Sequence, residues 1–224
     1  MNKRSKITLI IIGGFIAAWV IVRQTNVLNY YSVATPANYP SLKEGDYFVS
    51  SRLIKPKRFD HIAFYAETEM FERSIWIFRL CGIEGDKIEI KDGVLYVNDK
   101  NADKDLNLAH FYILSEEELA KIEDEDMLEY QAILGNNLII TNVADELIQK
   151  NKIKATRQIA AKDQLNELIK EVHSENWNID HFGPVIVPQG KYFLLGDNRH
   201  NAHDSRFLGF IDKKDCVATV WFKF

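Results

Sequence analysis

Residues 196–210 of this 224-residue chain read GDNRHNAHDSRFLGF. Acidic residues and arginines alternate along the stretch, at Asp197, Arg199, Asp204 and Arg206. Carboxylates and guanidinium groups form short bidentate hydrogen bonds, so the alternation predicts ion pairs that fix the ends of strands. We refer to residues 196–206 as the acid–arginine box.

The sequence on both sides of the box is typical of β-strands. Short runs in which apolar and polar residues alternate between turn residues predict strands. These runs are YFVSSRLI (47–54), HIAFYA (61–66), SIWIFRLCGI (74–83), KIEIKDGVLYVN (87–98), PVIVPQGKYFLLGD (184–197) and CVATVWFKF (216–224). Asp92-Gly93 stands between two apolar runs and predicts a tight hairpin. The body of the chain is therefore predicted to be mainly β.

Residues 101–182 have a different pattern. Ser115 followed by Glu118 is typical of a capping box at the start of a helix. Residues 143–150 and 161–173 repeat apolar side chains at intervals of three and four, which predicts helices. We therefore expect a mostly helical insertion over 101–182, flanked by a β core at 25–100 and 183–224.

The N-terminal segment is typical of a membrane anchor or a signal sequence. Residues 1–6 carry three positive charges, whereas residues 7–22 carry none. Basic residues before an apolar run place the N-terminus in the cytoplasm. We predict a cytoplasmic tail at 1–6, an uncleaved transmembrane helix at 7–24, and the rest of the chain in the periplasm or outside the cell.

Composition narrows the function classes. The net charge of −4 and the absence of a basic stripe with aromatic residues argue against nucleic-acid binding. Two cysteines, Cys81 and Cys216, are too few for a disulfide scaffold, and the sequence leaves open whether they pair. His61, His200 and His203 are interpreted as ordinary polar residues, so no metal site and no cofactor are predicted.

Four motifs follow one another along the chain. They are YPSLKEGD (39–46), KRFDHIAF (57–64), RLCGIEGD (79–86) with GVLYVN (93–98), and the acid–arginine box continued to Gly209 and Phe210. In this order they resemble type I signal peptidases, the membrane-anchored serine endopeptidases that remove signal peptides from exported proteins. The resemblance implies a signal-peptidase-like fold of antiparallel β-sheets, and it skips the insertion.

The residues that carry out proton transfer in that family are replaced here. Its chemistry uses a serine nucleophile and a neutral lysine that takes the serine's proton. The resemblance puts the serine at position 37, the lysine at 78, and a serine that orients the lysine at 202. This chain has Ala37, Phe78 and Ala202, none of which can exchange a proton. The sequence therefore predicts a catalytically impaired relative.

The motif residues that remain are those expected to hold loops in place. The resemblance gives this structural role to Gly45, Asp46, Arg79, Gly85, Asp86, Gly196, Asp197, Asn198, Arg199, Asp204, Ser205 and Arg206. Thr35 with the amide of residue 37 could still polarise a carbonyl group, and Pro40 and Ser41 belong to the same substrate loop.

Three functions stay open at this point. The first is an inactive homologue that binds exported preproteins or extended peptides, the lipid bilayer, and an active signal peptidase as partners. The second is an active peptidase with a displaced nucleophile such as Ser32, Ser41 or Ser50. The third is a membrane-anchored interaction scaffold whose insertion binds a partner.

Overall fold

The computed structural model describes residues 3–25, 27–68, 72–122, 131–135 and 137–224. In this part of the chain the strands form three sheets, and every pairing between named strands is antiparallel. The prediction of a mainly β body built from antiparallel sheets is therefore confirmed.

The first sheet has seven strands and carries most of the motifs. Its strands are β1 (Leu28–Ser32), β2 (Tyr47–Ser51), β3 (His61–Ala66), β4 (Ser74–Ile83), β13 (Lys191–Leu195), β14 (Ile211–Asp212) and β15 (Cys216–Lys223). They are ordered β1-β2-β15-β3-β4-β13-β14. Because β4 lies between β3 and β13, the ends of the second, third and fourth motifs meet on neighbouring strands.

The second sheet has four strands in the order β12-β5-β6-β7. They are β5 (Lys87–Lys91), β6 (Val94–Val97), β7 (Lys100–Asn101) and β12 (Phe182–Ile186). The hairpin predicted at Asp92-Gly93 joins β5 to β6, with Lys91 opposite Val94. Both turn residues have positive φ, 49° at Asp92 and 71° at Gly93, as a type I′ turn requires.

The third sheet corrects the prediction for residues 101–182, which are not mostly helical. Its strands are β8 (Ala109–Ser115), β9 (Gln131–Gly135), β10 (Leu138–Ala144) and β11 (Ala155–Arg157), in the order β11-β8-β10-β9. The sequences AHFYILS and LIITNVA are rich in aromatic and β-branched side chains, which fit a pleated, half-buried surface. Helical periodicity was present only in the short segments between these strands.

Those helical segments are α2 (Glu116–Leu119), α3 (Asp145–Lys150) and α4 (Glu167–His173), and α5 (Ser205–Leu208) closes the acid–arginine box. The predicted cap at the start of α2 is present, since the Ser115 hydroxyl accepts a hydrogen bond from the Glu118 amide. Helices α3 and α4 lie within the predicted helical stretches but are shorter than them.

Helix α1 (Lys3–Thr25) contains the predicted membrane anchor. No helix in the described residues is both long enough and apolar enough to cross a membrane, so the transmembrane helix expected at 7–24 is not supported.

The largest core cluster lies between the first two sheets. It joins Cys81 and Phe193 of the first sheet to Ile88 and Leu95 of the second, and Ile169 of α4 packs into it. The third sheet has an apolar cluster of its own, built around Tyr112, Leu114 and Val143. Cys81 and Cys216 are free thiols.

Candidate active site

The loop that follows β1 is held by hydrogen bonds to its backbone. Pro36–Asn38 form one turn of 3-10 helix, in which proline suits the first position. The backbone N–H of Asn198, in the acid–arginine box, donates to the Ala37 carbonyl at 3.1 Å. The side-chain amide of Asn198 donates to the Pro36 carbonyl at 3.1 Å. Asn38 donates to the Ile77 carbonyl at 2.7 Å. The loop is therefore fixed to β4 and to the box at the same time.

The three positions of the missing proton chemistry meet at one place. Ala37 and Ala202 both pack against the cluster that contains buried Phe78. Gly196 lies between them, because a Cβ atom built on it would be 2.3 Å from the Ala202 Cβ and 2.5 Å from the Ala37 carbonyl oxygen. The same Cβ would be 3.4 Å from the Phe78 ring. Only glycine fits at position 196, and the three replaced positions lie around it.

The surroundings of Phe78 are apolar. The side chains that bury it are Ile62, Phe64, Leu80 and Leu194, and the residue is only 3% exposed. Its ring centroid lies 5.9 Å from that of Phe64 and 6.2 Å from that of Trp76. The side chain thus fills a buried apolar pocket in which a lysine would lose solvation of its charge.

Next to this cluster lies a buried carboxylate, Asp197. Its oxygens accept from Arg79 Nε at 2.6 Å and Nη2 at 2.5 Å, and His61 Nε2 lies at 3.0 Å. Burial alone would raise the pKa of Asp197, but the hydrogen bonds from Arg79 and His61 bring that pKa well below its usual range. Arg79 also donates to the Ser41 hydroxyl at 3.0 Å, which ties the first motif to the third and fourth.

Two further ion pairs stabilise the acid–arginine box. Asp204 receives hydrogen bonds from the Gly196 amide and from Arg206 Nε and Nη2, and both charged side chains are almost fully buried. Arg199 binds Asp103 through two parallel bonds of 2.6 and 2.7 Å. Ser205 accepts from the Leu194 amide at 2.9 Å. Of the charged residues in the alternation, Asp204 and Arg206 pair with each other, whereas Asp197 and Arg199 pair with Arg79 and Asp103 outside the box.

The remaining Gly-Asp motifs form turns of one design. In 43–46 the Asp46 carboxylate accepts from the Lys43 amide, and in 83–86 Asp86 accepts from the Ile83 amide, both at 2.8 Å. The glycine before each aspartate has a left-handed backbone, with φ of 85° at Gly45 and 86° at Gly85. The Gly-Asp pairs of the first and third motifs therefore fix the conformation of the turns in which they lie.

A third turn of this design occurs at residues 57–60. Asp60 accepts from the Lys57 amide at 2.8 Å, and the left-handed position is occupied by Phe59 with φ of 74°. The Phe59 amide donates to the Leu80 carbonyl, and its own carbonyl accepts from Arg79. These two bonds hold a bulky residue in a backbone conformation that it rarely adopts.

The residues of the expected substrate loop differ in exposure. Thr35 is exposed and extended, and it makes no side-chain capping bond to the 3-10 turn. Ser41 is half-buried beside Arg79, and its hydroxyl lies 3.5 Å from the Asn107 carbonyl. Of the other serines considered as nucleophiles, Ser50 is fully buried and Ser32 is exposed at the end of β1.

Several residues of this region were missed by the sequence reasoning. Asp103 and Asn142, which bind Arg199 and Asn198, belong to the segment that the motifs do not cover. His200 accepts from the Phe111 amide at Nδ1, so its Nε2–H donates to Asp180. The third sheet is thus hydrogen-bonded directly to the acid–arginine box, which no local pattern in the sequence indicated.

Comparison with known proteins finds a protein family whose sequence pattern matches almost the whole chain. The family described as "Signal peptidase, peptidase S26" matches residues 5–224. A signal peptidase I of Rickettsia akari is 28% identical over 173 residues, covering 75% of this chain and 52% of the relative. One from Rickettsia massiliae is 30% identical over 175 residues, with coverage of 75% and 52%. This chain therefore spans about half the length of the curated relatives that it matches.

A solved structure is also similar. A signal peptidase I from Enterococcus faecalis V583 shares 23% sequence identity with this chain, at a TM-score of 0.36. The match covers 75% of this chain and 98% of the other.

Proposed function

Because this chain belongs to the signal peptidase family, peptidase S26, we propose that it binds exported preproteins as extended segments and does not cleave them by Ser–Lys chemistry. The observation that supports the proposal is the meeting of Ala37, Phe78 and Ala202 around Gly196. A methyl group stands where the family's nucleophile is expected, and a benzyl group stands where its base is expected. Neither can give or take a proton.

The frame around these positions supports retained binding. Asn198 fixes the loop carbonyls of Pro36 and Ala37, so the backbone amides of this loop have a defined direction. Thr35 is exposed on the same loop and is available to help polarise a peptide carbonyl. Such donors can orient a peptide bond without any nucleophile being present.

The residues around positions 37, 78 and 202 make it possible to test the proposal by restoring the three missing side chains. A lysine at position 78 would lie among Ile62, Phe64 and Leu80, where burial lowers the pKa of an ammonium group. Position 202 is packed against Gly196, so a serine hydroxyl there would lie beside that lysine. A serine at position 37 would complete the pair that the family uses.

The experiment is a preprotein cleavage assay in detergent. It compares the unaltered protein with the triple variant Ala37→Ser/Phe78→Lys/Ala202→Ser, and the matched control is Phe78→Lys/Ala202→Ser, which lacks the nucleophile. Cleavage by the triple variant alone is the expected result. Cleavage by the unaltered protein would overturn the proposal, and alanine substitution of Ser32, Ser41 and Ser50 would then identify a displaced nucleophile.

Binding needs its own measurement. Fluorescence anisotropy of a labelled signal-peptide segment should increase on adding the unaltered protein, with no change in the length of the peptide. A tryptophan at position 37 should weaken this binding, because its indole would fill the space in front of the loop. Equal binding by Ala37→Trp would show that the peptide does not bind at this loop.

The proposal includes association with a lipid bilayer on the outer side of the cytoplasmic membrane. The apolar side chains of α1 are exposed, including Ile10 at 74% and Phe15 at 73%. A second exposed surface, the aromatic patch, is formed where β1, β2 and β15 end, by Tyr30, Tyr47, Trp221, Phe222 and Phe224. Contiguous exposed apolar surface of this kind marks membrane or protein contact.

Flotation with phospholipid vesicles tests this part of the proposal. The unaltered protein should float with the vesicles, and a Trp221→Ser/Phe222→Ser/Phe224→Ser variant should float less. Flotation that is unchanged by these substitutions would remove the aromatic patch from the proposal. An unaltered protein that stays in the soluble fraction would remove bilayer association altogether.

A further inference from the structure

The connection between β2 and β3 concentrates positive charge. Residues 47–59 contain four basic side chains and no acidic one. The basic residues are Arg52, Lys55, Lys57 and Arg58. The chain as a whole has a net charge of −4, so this concentration is opposite in sign to the rest of the protein. We refer to residues 52–57 as the basic loop.

The conformation of the basic loop is held through its backbone. The Arg52 amide donates to the Val27 carbonyl at 3.2 Å, and the Ile54 carbonyl accepts from the Thr219 hydroxyl at 3.0 Å. The turn at 57–60, described above, closes the loop with a bond from a backbone amide. Replacing the charged side chains would therefore leave all these bonds in place.

The charged side chains of the basic loop lie at the surface. Arg58, which follows the loop, pairs with Asp86 at 2.7 Å. Arg52, Lys55 and Lys57 are exposed, and within the described residues no carboxylate pairs with any of them. Three positive charges are therefore available to an anion outside the protein.

The basic loop adjoins the exposed apolar surfaces of the protein. Leu53, within the loop, is 78% exposed. Helix α1 ends at Thr25, close in the chain to Val27, whose carbonyl binds the loop. Strand β1 begins at Leu28, 40% exposed, opposite the last residue of β2, and Tyr30 of the aromatic patch follows on the same face. Exposed apolar side chains thus extend from the basic loop to the aromatic patch.

This combination matches the chemistry of a bilayer interface. Apolar side chains enter the boundary between headgroups and acyl chains, and lysine or arginine side chains beside them bind anionic headgroups. A solvated small anion would need no exposed leucine next to the charges, whereas a bilayer offers a partner for both. The net negative charge of the protein would keep its other faces away from an anionic surface.

We propose that the basic loop docks onto the anionic headgroups of a phospholipid bilayer, and that this contact makes the association of the protein with bilayers selective for anionic lipid. The inference rests on the bilayer association included in the proposed function. It adds the class of lipid and the residues that select it. It also sets the orientation of the β core, with the basic loop and the aromatic patch toward the bilayer.

The test places a reporter in the loop of the full-length protein. The variant Leu53→Cys/Cys216→Ser carries one environment-sensitive fluorophore at position 53, since Cys81 is buried and does not react. The vesicles contain phosphatidylcholine alone or phosphatidylcholine mixed with phosphatidylglycerol. The emission should shift to the blue with the mixed vesicles and much less with phosphatidylcholine alone. Raising the salt from about 0.1 M to about 1 M should reduce the shift, because the Debye length falls from about 10 Å to about 3 Å.

Two matched sets of substitutions assign the effect to the loop. Arg52→Gln/Lys55→Gln/Lys57→Gln removes its three free charges in the labelled protein. The control, Lys104→Gln/Lys162→Gln/Lys170→Gln, changes the net charge equally at exposed positions outside the first sheet. Each basic residue near an anionic surface contributes about fivefold, so the loop variant should bind the mixed vesicles at least tenfold more weakly. The control should bind like the unaltered protein.

Flotation of the same samples separates the two proposals. Protein that floats with both kinds of vesicle, with equal label shifts for the two, would overturn the selectivity for anionic lipid and leave bilayer association standing. Equal losses in the loop variant and the control would overturn the role of the basic loop in the same way. Protein that floats with neither kind of vesicle would overturn both proposals.

Discussion

Asp197→Asn is the substitution that tests most directly how the site is held together. The side chain keeps its shape but loses its charge, so the Arg79 guanidinium, 12% exposed, has no counter-ion. The change also removes charge from the bonds of 2.6 and 2.5 Å to Arg79 and places a donor where only acceptors fit. Removing one partner of a buried ion pair lowers stability by about 3–5 kcal/mol, and we expect Asp197→Asn to lower the free energy of unfolding by that amount.

The assay is urea unfolding, followed by fluorescence of the native tryptophans and by circular dichroism. A matched control is Asp105→Asn, because the Asp105 carboxylate is 83% exposed and 3.7 Å from Lys104. Exposed pairs contribute about 0–1 kcal/mol, so the control should be close to the unaltered protein. A loss below about 1 kcal/mol for Asp197→Asn, equal to that of the control, would refute the assigned role of this ion pair.

The dependence on pH gives a second readout with a defined sign. The pKa of Asp197 is lowered in the folded protein, so its contribution to stability is complete above the unfolded pKa of about 3.9. It is lost as the pH falls below that value toward the folded pKa. The stability difference between the unaltered protein and Asp197→Asn should therefore shrink as the pH is lowered from 5 to 2. A difference that stays constant over this range would contradict the coupling.

Three other substitutions have expected outcomes that follow from local geometry. Gly196→Ala should destabilise the protein by about 1–3 kcal/mol, because its Cβ would lie 2.3 Å from the Ala202 Cβ; adding Ala202→Gly should recover part of the loss, and no recovery would argue against this contact. Gly85→Ala should lower the free energy of unfolding in urea by about 1–2 kcal/mol, because φ at this position is 86°. No atom lies within 4 Å of the added Cβ, so the cost would come from the backbone alone, and a neutral result would argue against the left-handed turn. Ser115→Ala should cost about 1 kcal/mol by loss of the cap on α2, whereas Ser115→Asp should keep most of it, and equal losses would contradict the capping bond.

What the sequence could predict was local in character. The hairpin at Asp92-Gly93 and the cap at Ser115 each depend on residues within four positions of one another, and both are present. The prediction of a mostly helical insertion was wrong because helical spacing in short flanking segments was given more weight than the strand sequences AHFYILS and LIITNVA. The pairing of these two strands with each other adds to their β-forming composition in setting their conformation.

The site shows the same division between local and distant contacts. Asp204 and Arg206 are two positions apart, and their pairing follows from the alternation in the box. Asp197 binds Arg79 across 118 positions and Arg199 binds Asp103 across 96, which no pattern in one sequence encodes. Ala37, Phe78 and Ala202 were grouped only by resemblance to a family, and the fold then brings them into contact around Gly196.

Hydrogen bonds join the third sheet directly to the acid–arginine box, so we expect these two parts to unfold together. A chain shortened by residues 103–180 would lose Asp103, Phe111, Asn142 and Asp180 together, and Arg199, 4% exposed, would be left as an unpaired charge. Excision would therefore report misfolding rather than a lost partner surface. Point substitutions at exposed side chains such as Ile133, 79% exposed, and Leu134, 54% exposed, avoid that confusion, because they alter the surface of the third sheet and leave its bonds to the box intact.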